Sequence, residues 1–242
     1  MSSILTVIGH RGAAGHAAEN TFAAFDVGLR MGVDGVETDI RRTSDGVLVL
    51  IHDATVDRTT DGHGPVAEMT LTHLQTLDAG VRFGPQFTGQ RIPTLESFLE
   101  RYRGRTRFRL EFKIGGVEEQ VLDVLRRHEV LPTSMLTSFD LEILRALHRL
   151  EPTASLAWIT NVADAAEAVK AREAGCAQIC YRSGEVTRAL VDNAHERGLE
   201  VWGWSIKTRD LLERAVREGV DGVTLDEPDW ADGIRTRADA TR

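Results

Sequence analysis

Seven residues with chemistry to offer sit close to the ends of short apolar runs. Glu37 and Asp39 are two apart, and so are Glu111 and Lys113. On a strand, side chains two apart point to the same face, so each pair presents both of its charges on one side. His10 and Arg11 follow the run Leu5–Ile8 and its glycine, and His52 follows the run Val47–Ile51. Further polar and aromatic groups lie at comparable places. Trp202 and Trp204 share one run with Lys207 just after it, and the last run ends in Asp226 and Glu227.

Burying such carboxylates unpaired costs several kcal/mol each. One way out is for Glu37 or Glu111 to pair with Arg11 or Lys113. The carboxylates outnumber these cations, which favours a bound metal instead. An all-oxygen ligand set of Glu37, Asp39 and Glu111 suits a hard divalent ion, Mg²⁺ or Ca²⁺. His10 and His52 at the same level suit general acid–base work. Asp53 either caps a turn or orients His52. His16 is expected in a surface loop, and His63, His73, His128, His148 and His195 are expected to be solvated. Cys176 and Cys180, too few for a disulfide framework, read as buried apolar residues.

The elements that must position these groups follow from hydrophobic patterning. Nine apolar runs alternate with amphipathic stretches: Leu5–Ile8, Gly35–Ile40, Val47–Ile51, Phe108–Phe112, Met135–Ser138, Ser155–Ile159, Ala177–Tyr181, Leu199–Ile206 and Gly222–Leu225. Helices are predicted over 21–31, 95–102, 118–127, 141–150, 163–174, 187–197 and 208–218. Strand–helix repetition with apolar strands implies a parallel sheet covered by helices. Val47–Ile51 lies too close to Ile40 for a parallel crossover, so those two runs form a hairpin. Its register has two solutions. A turn centred on Ser44–Asp45 sets His52 opposite Glu37, and a three-residue loop with a bulge at Gly46 sets it opposite Thr38. The remaining eight runs match a TIM-type (β/α)₈ barrel. The chain then reads as one catalytic domain over 1–242. The barrel occupies 1–40 and 93–235, a small insertion after the second strand spans about 41–92 with a short helix near 72–77, and a polar tail covers 234–242. In such a barrel, strand C-terminal ends and the insertion meet at the face where active sites lie.

Composition narrows the classes. The 242-residue chain is 42% hydrophobic and carries a net charge of −8. That balance disfavours nucleic acid, whose affinity rests on Lys and Arg at phosphates. The chain has no apolar run of eighteen residues and no basic amphipathic helix, so no stable membrane association is expected. Met1–Ile8 does not read as a signal peptide, and a cytoplasmic protein is expected.

In its ordered motifs the chain resembles the glycerophosphodiester phosphodiesterases. "HRG" with "ENTFAAF", "VETDIRRTSDGVLVLIHDATVDRTTDGHG", "IPTLESFL", "LEFK", "LTSFD" and "GVDGVTLDEPD" follow in the family's order from His10 to about Asp229. The resemblance implies a metal-dependent hydrolase on a TIM-type barrel, giving glycerol 3-phosphate and an alcohol. By motif, His10 and His52 resemble the acid/base pair. Glu37, Asp39 and Glu111 resemble the metal ligands, and Arg11 and Lys113 the phosphate-holding residues. A small, soluble, deacylated substrate such as glycerophosphocholine or glycerophosphoethanolamine is expected, with its glycerol end near Trp204. Alternatives are a related barrel enzyme that forms a cyclic phosphate, and a non-catalytic phosphodiester-binding barrel. Three positions depart from the family pattern: Ala18 stands for Pro, Phe112 for Ile or Leu, and Lys207 for Asn. Asn20 is expected to cap the helix that starts near Thr21.

Overall fold

The computed structural model describes residues 5–234. Among them, nine strands and eight α-helices alternate along the chain. The strands are β1 (Thr6–Gly9), β2 (Gly35–Arg42), β3 (Leu48–Leu50), β4 (Arg107–Phe112), β5 (Ser134–Ser138), β6 (Ser155–Ile159), β7 (Gln178–Arg182), β8 (Glu200–Ile206) and β9 (Gly222–Leu225). The helices are α1 (Phe22–Arg30), α2 (Leu71–Leu74), α3 (Leu95–Tyr102), α4 (Glu118–Arg127), α5 (Leu141–Leu150), α6 (Ala165–Glu173), α7 (Arg188–His195) and α8 (Arg209–Glu218). Eight strands pair in parallel in the order β1-β9-β8-β7-β6-β5-β4-β2, and a β1–β2 pairing closes them into a barrel. This is the TIM-type architecture the patterning implied. The predicted polar tail lies, from residue 235 on, outside the described residues.

The ninth strand, β3, runs antiparallel to the end of β2, with Ile40 opposite Leu50 and Arg42 opposite Leu48. Of the two registers open to the sequence, this is the bulged one, which carries His52 toward Thr38. The cause is local. Thr43 N–H donates to the Val47 carbonyl and Gly46 N–H to the Thr43 carbonyl. Gly46 takes a φ of 85°, the left-handed conformation such a bulge needs. β2 also runs two residues beyond the predicted Ile40, because β3 supplies hydrogen bonds that extend it. The short helix begins at Leu71 and ends at Leu74, capped by the Thr70 side chain accepting from His73 N–H.

Alternation along the strands sorts the side chains. On β2 and β4, Val36, Ile40, Phe108, Leu110 and Phe112 join the main core against the helices. Glu37, Asp39, Arg109 and Glu111 take the opposite, inward face. A second cluster, which includes Val49, Ile51, Val56, Val66, Leu74, Leu77 and Ile92, holds the insertion together separately. A third lines the barrel interior with Ile8, Ala157, Ile159, Cys180 and Trp202. No helix among the described residues is long and apolar enough to cross a membrane.

The first turn after β1 is set by close backbone approach. Gly12 has a φ of 93°, and a Cβ there would meet the Ala24 backbone at 2.4 Å. Gly12→Ala should therefore destabilise the fold by on the order of 2–3 kcal/mol, the size of a strained-backbone lesion. A chemical-denaturation midpoint unchanged from wild type would contradict this.

Candidate active site

The mouth of the barrel at the strand C-termini holds a pocket lined by His10, Glu37, His52, Glu111, Lys113 and Trp204, among others. Three adjacent strands build its floor. β2 pairs with β1 on one side and β4 on the other, and the register sets Asp39 beside Glu111. Glu37, Asp39 and Glu111 are all buried. Each offers a carboxylate oxygen, and these oxygens lie within 4.8 Å of one another.

Cations answer only part of this charge. Lys113 Nζ donates to Glu111 at 2.6 Å and stands 3.6 Å from Asp39. Arg11 Nε lies 3.3 Å from Asp39, and its backbone N–H donates to Glu37 at 2.9 Å. Arg11 takes a φ of 49° to make that contact, a conformation uncommon for a non-glycine residue. Even so, Glu37 Oε1 and Asp39 Oδ1 are buried without a hydrogen-bond partner. Burial and the neighbouring Asp39 push the Glu37 carboxyl up to about 8. Burial, with Asp39 again, raises Glu111 too. Buried oxygens without donors, grouped within reach of one point, are what a hard divalent cation requires. These three residues could hold one.

The two histidines stand on either side, each fixed through Nδ1. His10 Nδ1 bonds Asp226 at 2.5 Å, and its Nε2 lies 3.8 Å from Glu37. Asp226 is 216 residues away, but β1 and β9 are barrel neighbours with Gly9 opposite Leu225. Burial pulls His10 down, and the Asp226 bond with the nearby Glu37 outweighs it, so its pKa is raised. His52 Nδ1 bonds Asp53 at 2.6 Å. Burial there wins over Asp39 and Asp53, and the pKa of His52 is lowered.

Of the groups singled out from sequence, His10, Arg11, Glu37, His52, Glu111, Lys113 and Trp204 line one pocket. Asp39 sits beside them, in contact with Arg11 and Lys113. Trp204 packs edge-on against Phe139 and donates from Nε1 to the Thr160 carbonyl. Lys207 bonds Asp226 at 2.7 Å, which turns the departure from Asn into a second partner for the carboxylate that holds His10. Asn20 is not the helix cap. Thr21 accepts from Ala24 N–H in that role, and Asn20 is buried, donating to Asp39 and accepting from Thr38. Its φ of 55° removes it from cap geometry. Cys176 and Cys180 are buried and unpaired as expected. His128 and His148 are not solvated: one pairs with Glu96 and the other packs over Gly175, both half-buried. His16, in the first loop, faces Glu227 and Asp229.

Sequence reasoning passed over Arg109, although it continues the alternation of Glu111 and Lys113. It lies beneath the carboxylates, bonded to Gln178 and Cys180 and stacked on Trp202 at 4.6 Å. Glu19 and Arg58 were also missed, because their partners come from distant segments.

A closed α/β barrel with carboxylates and paired histidines at its strand C-termini defines a class of barrel hydrolases. The model of the Glycerophosphoryl diester phosphodiesterase family matches residues 10–230, and the chain belongs to that family. YhdW of Bacillus subtilis is 35% identical over 93% of this chain and 95% of its own length. The crystal structure of a glycerophosphodiester phosphodiesterase from Agrobacterium tumefaciens superposes with a TM-score of 0.85. It is 31% identical and covers 93% of this chain and 98% of that one. A phosphodiesterase from Oleispira antarctica, solved with its product sn-glycerol-3-phosphate, gives 0.87 at 27% identity, covering 98% and 97%. The protein is thus an enzyme of the phosphoric diester hydrolase type.

The raised Glu37 fixes the sign of a pH effect on stability. Between the ordinary carboxylate value and about 8, the folded state keeps a proton that the unfolded state has lost. Stability of the metal-free protein should therefore fall as pH rises through this window. His10, also raised, adds to the fall. Glu37→Gln should flatten the slope in thermal melts. At pH 8, added Mg²⁺ or Ca²⁺ should raise the wild-type melting temperature and leave that of Glu37→Gln nearly unmoved. Equal shifts for both proteins would count against the carboxylate site.

Proposed function

We propose that the protein hydrolyses small, deacylated glycerophosphodiesters, such as glycerophosphocholine and glycerophosphoethanolamine, to sn-glycerol 3-phosphate and an alcohol. The observation that carries this reading is the pairing of a buried, under-neutralised carboxylate trio with two histidines whose Nδ1 atoms are each fixed by an aspartate. Family membership and the product bound to the Oleispira antarctica relative support the substrate class. The barrel and insertion would act as one catalytic domain, in a cytoplasmic setting, with no membrane or nucleic-acid partner.

In this reading Glu37, Asp39 and Glu111 hold one divalent cation, Mg²⁺ or Ca²⁺. When bound, it supplies charge neutralisation and polarisation at the phosphate. Arg11 offers a planar fork for non-bridging phosphate oxygens and Lys113 a point charge. Both lean on carboxylates that a cation would otherwise satisfy, so they are placed to turn to substrate. The glycerol packs toward Trp204.

His52 and His10 divide the proton work. Each donates from Nδ1 to its aspartate, leaving Nε2 for the pocket. His52, lowered by burial, accepts the proton of the attacking water as its oxygen bonds to phosphorus. His10, raised by Asp226 and Glu37, delivers a proton to the alcohol oxygen as the old P–O bond breaks.

Phosphorus NMR on glycerophosphocholine tests the reaction. The expected products are glycerol 3-phosphate and choline, with activity abolished by chelator and restored by Mg²⁺ or Ca²⁺. Persistence of full activity in excess chelator, or a cyclic phosphate as the final product, would overturn this reading. The division of roles has its own test. His10→Ala and His52→Ala should each lose roughly 10²–10⁴ in rate on the choline diester. A p-nitrophenyl leaving group needs no proton, so it should rescue His10→Ala and not His52→Ala. The reverse pattern would exchange the two roles.

A further inference from the structure

We infer that Arg58 is a positioning residue that ties His52 and Arg11 into one frame, so that the proton-accepting group and the phosphate-binding group are set by the same guanidinium. This rests on the roles proposed above for those two residues.

His52 and Arg11 belong to different packing units. His52 follows β3 at the edge of the insertion, which has its own apolar cluster. Arg11 lies in the loop after β1 and is anchored through its backbone to Glu37. Between them runs an unbroken chain of charge-assisted bonds. His52 Nδ1 bonds Asp53 Oδ1 at 2.6 Å, and Arg58 Nε donates to Asp53 Oδ2 at 2.6 Å. Arg58 Nη1 and Nη2 donate to the two oxygens of Glu19 at 2.7 and 2.8 Å. Arg11 Nη1 donates to Glu19 Oε1 at 2.7 Å.

A single half-exposed ion pair contributes little. Here one planar fork engages two carboxylates through three nitrogens, which fixes direction as well as distance. Asp53 is held well below the usual carboxylate range, first by the Arg58 bond and then by His52. It is thereby kept as an acceptor for the His52 Nδ1 proton, which fixes the imidazole tautomer. At the other end, Glu19 carries two guanidiniums. With Arg58 bound to both of its oxygens, Glu19 holds Arg11 through Nη1 alone and leaves Nη2 for phosphate. Lysine cannot replace this arrangement, because an ammonium is a single point and the two carboxylates lie on different segments.

The test compares Arg58→Gln, Arg58→Lys, Asp53→Asn and Glu19→Gln with wild type on glycerophosphocholine and Mg²⁺. Side-chain ¹⁵N NMR of His52 is recorded in parallel. Arg58→Gln should lower kcat and raise KM, each by roughly tenfold or more, the size of a lost supporting partner. Asp53→Asn should act mainly on kcat and Glu19→Gln mainly on KM, while Arg58→Lys should recover one loss and not both. In the spectrum, wild-type His52 should show a protonated Nδ1, and Arg58→Gln a mixture of tautomers. If Arg58→Gln lowers the melting temperature but leaves kcat, KM and the imidazole spectrum unchanged, Arg58 is a structural residue and the inference fails. It fails too if only one kinetic parameter moves. An inactive wild-type enzyme would instead sink the functional reading, and the His52 spectrum alone would then decide the bridge.

Discussion

Too much negative charge in too little water is the constraint on which the rest of this structure depends. Three carboxylates share the mouth of a barrel where desolvation penalises each of them, and two carboxylate oxygens remain without a donor. The surroundings read as responses to that charge. A backbone N–H is turned to Glu37 at the cost of a left-handed Arg11, a buried amide is spent on Asp39, and Lys113 leans over Glu111. Each response lowers the repulsion without removing it. A site fully neutralised by its own side chains would leave no carboxylate oxygen that could call on a cation.

Much of this was legible in the sequence, for reasons that can be named. The two-residue spacing of Glu37 with Asp39 and of Glu111 with Lys113 survives folding because strand periodicity is local and strict. The hairpin followed from chain length alone, since the six residues between Ile40 and Val47 cannot make a parallel crossover. Its register did not, because the bulge at Gly46 turns on hydrogen bonds around Thr43 that either turn type could have claimed. Asn20 shows the limit most clearly. As a residue before a helix it looks like a cap, and only the arrival of β2 beneath the loop reveals that its amide belongs to Asp39 and Thr38. The partnerships of His10 with Asp226 and of Arg58 with Glu19 were hidden for the same reason. They are made by barrel closure and by the fold of the insertion, not by neighbours in sequence.

The histidines illustrate how one motif can be made asymmetric by its setting. Each imidazole has an aspartate on Nδ1, and each aspartate has a cation behind it: Lys207 for Asp226 and Arg58 for Asp53. What differs is the ground they stand on. His10 faces Glu37, and its pKa is raised despite burial. His52 stands on the insertion, where burial dominates and its pKa is lowered. Equivalent local chemistry therefore yields opposite protonation tendencies.

The insertion's separate apolar cluster has a consequence for how the molecule can vary. Val49, Val56, Val66 and Leu74 pack with one another and not with the helical ring. Two ledgers of mutation are thus kept apart. Drift or loop exchange within this annex reshapes the rim on which His52 and Arg58 stand, while the acidic floor contributed by β2 and β4 stays in register. The annex can repack without shifting the register that sets Asp39 beside Glu111.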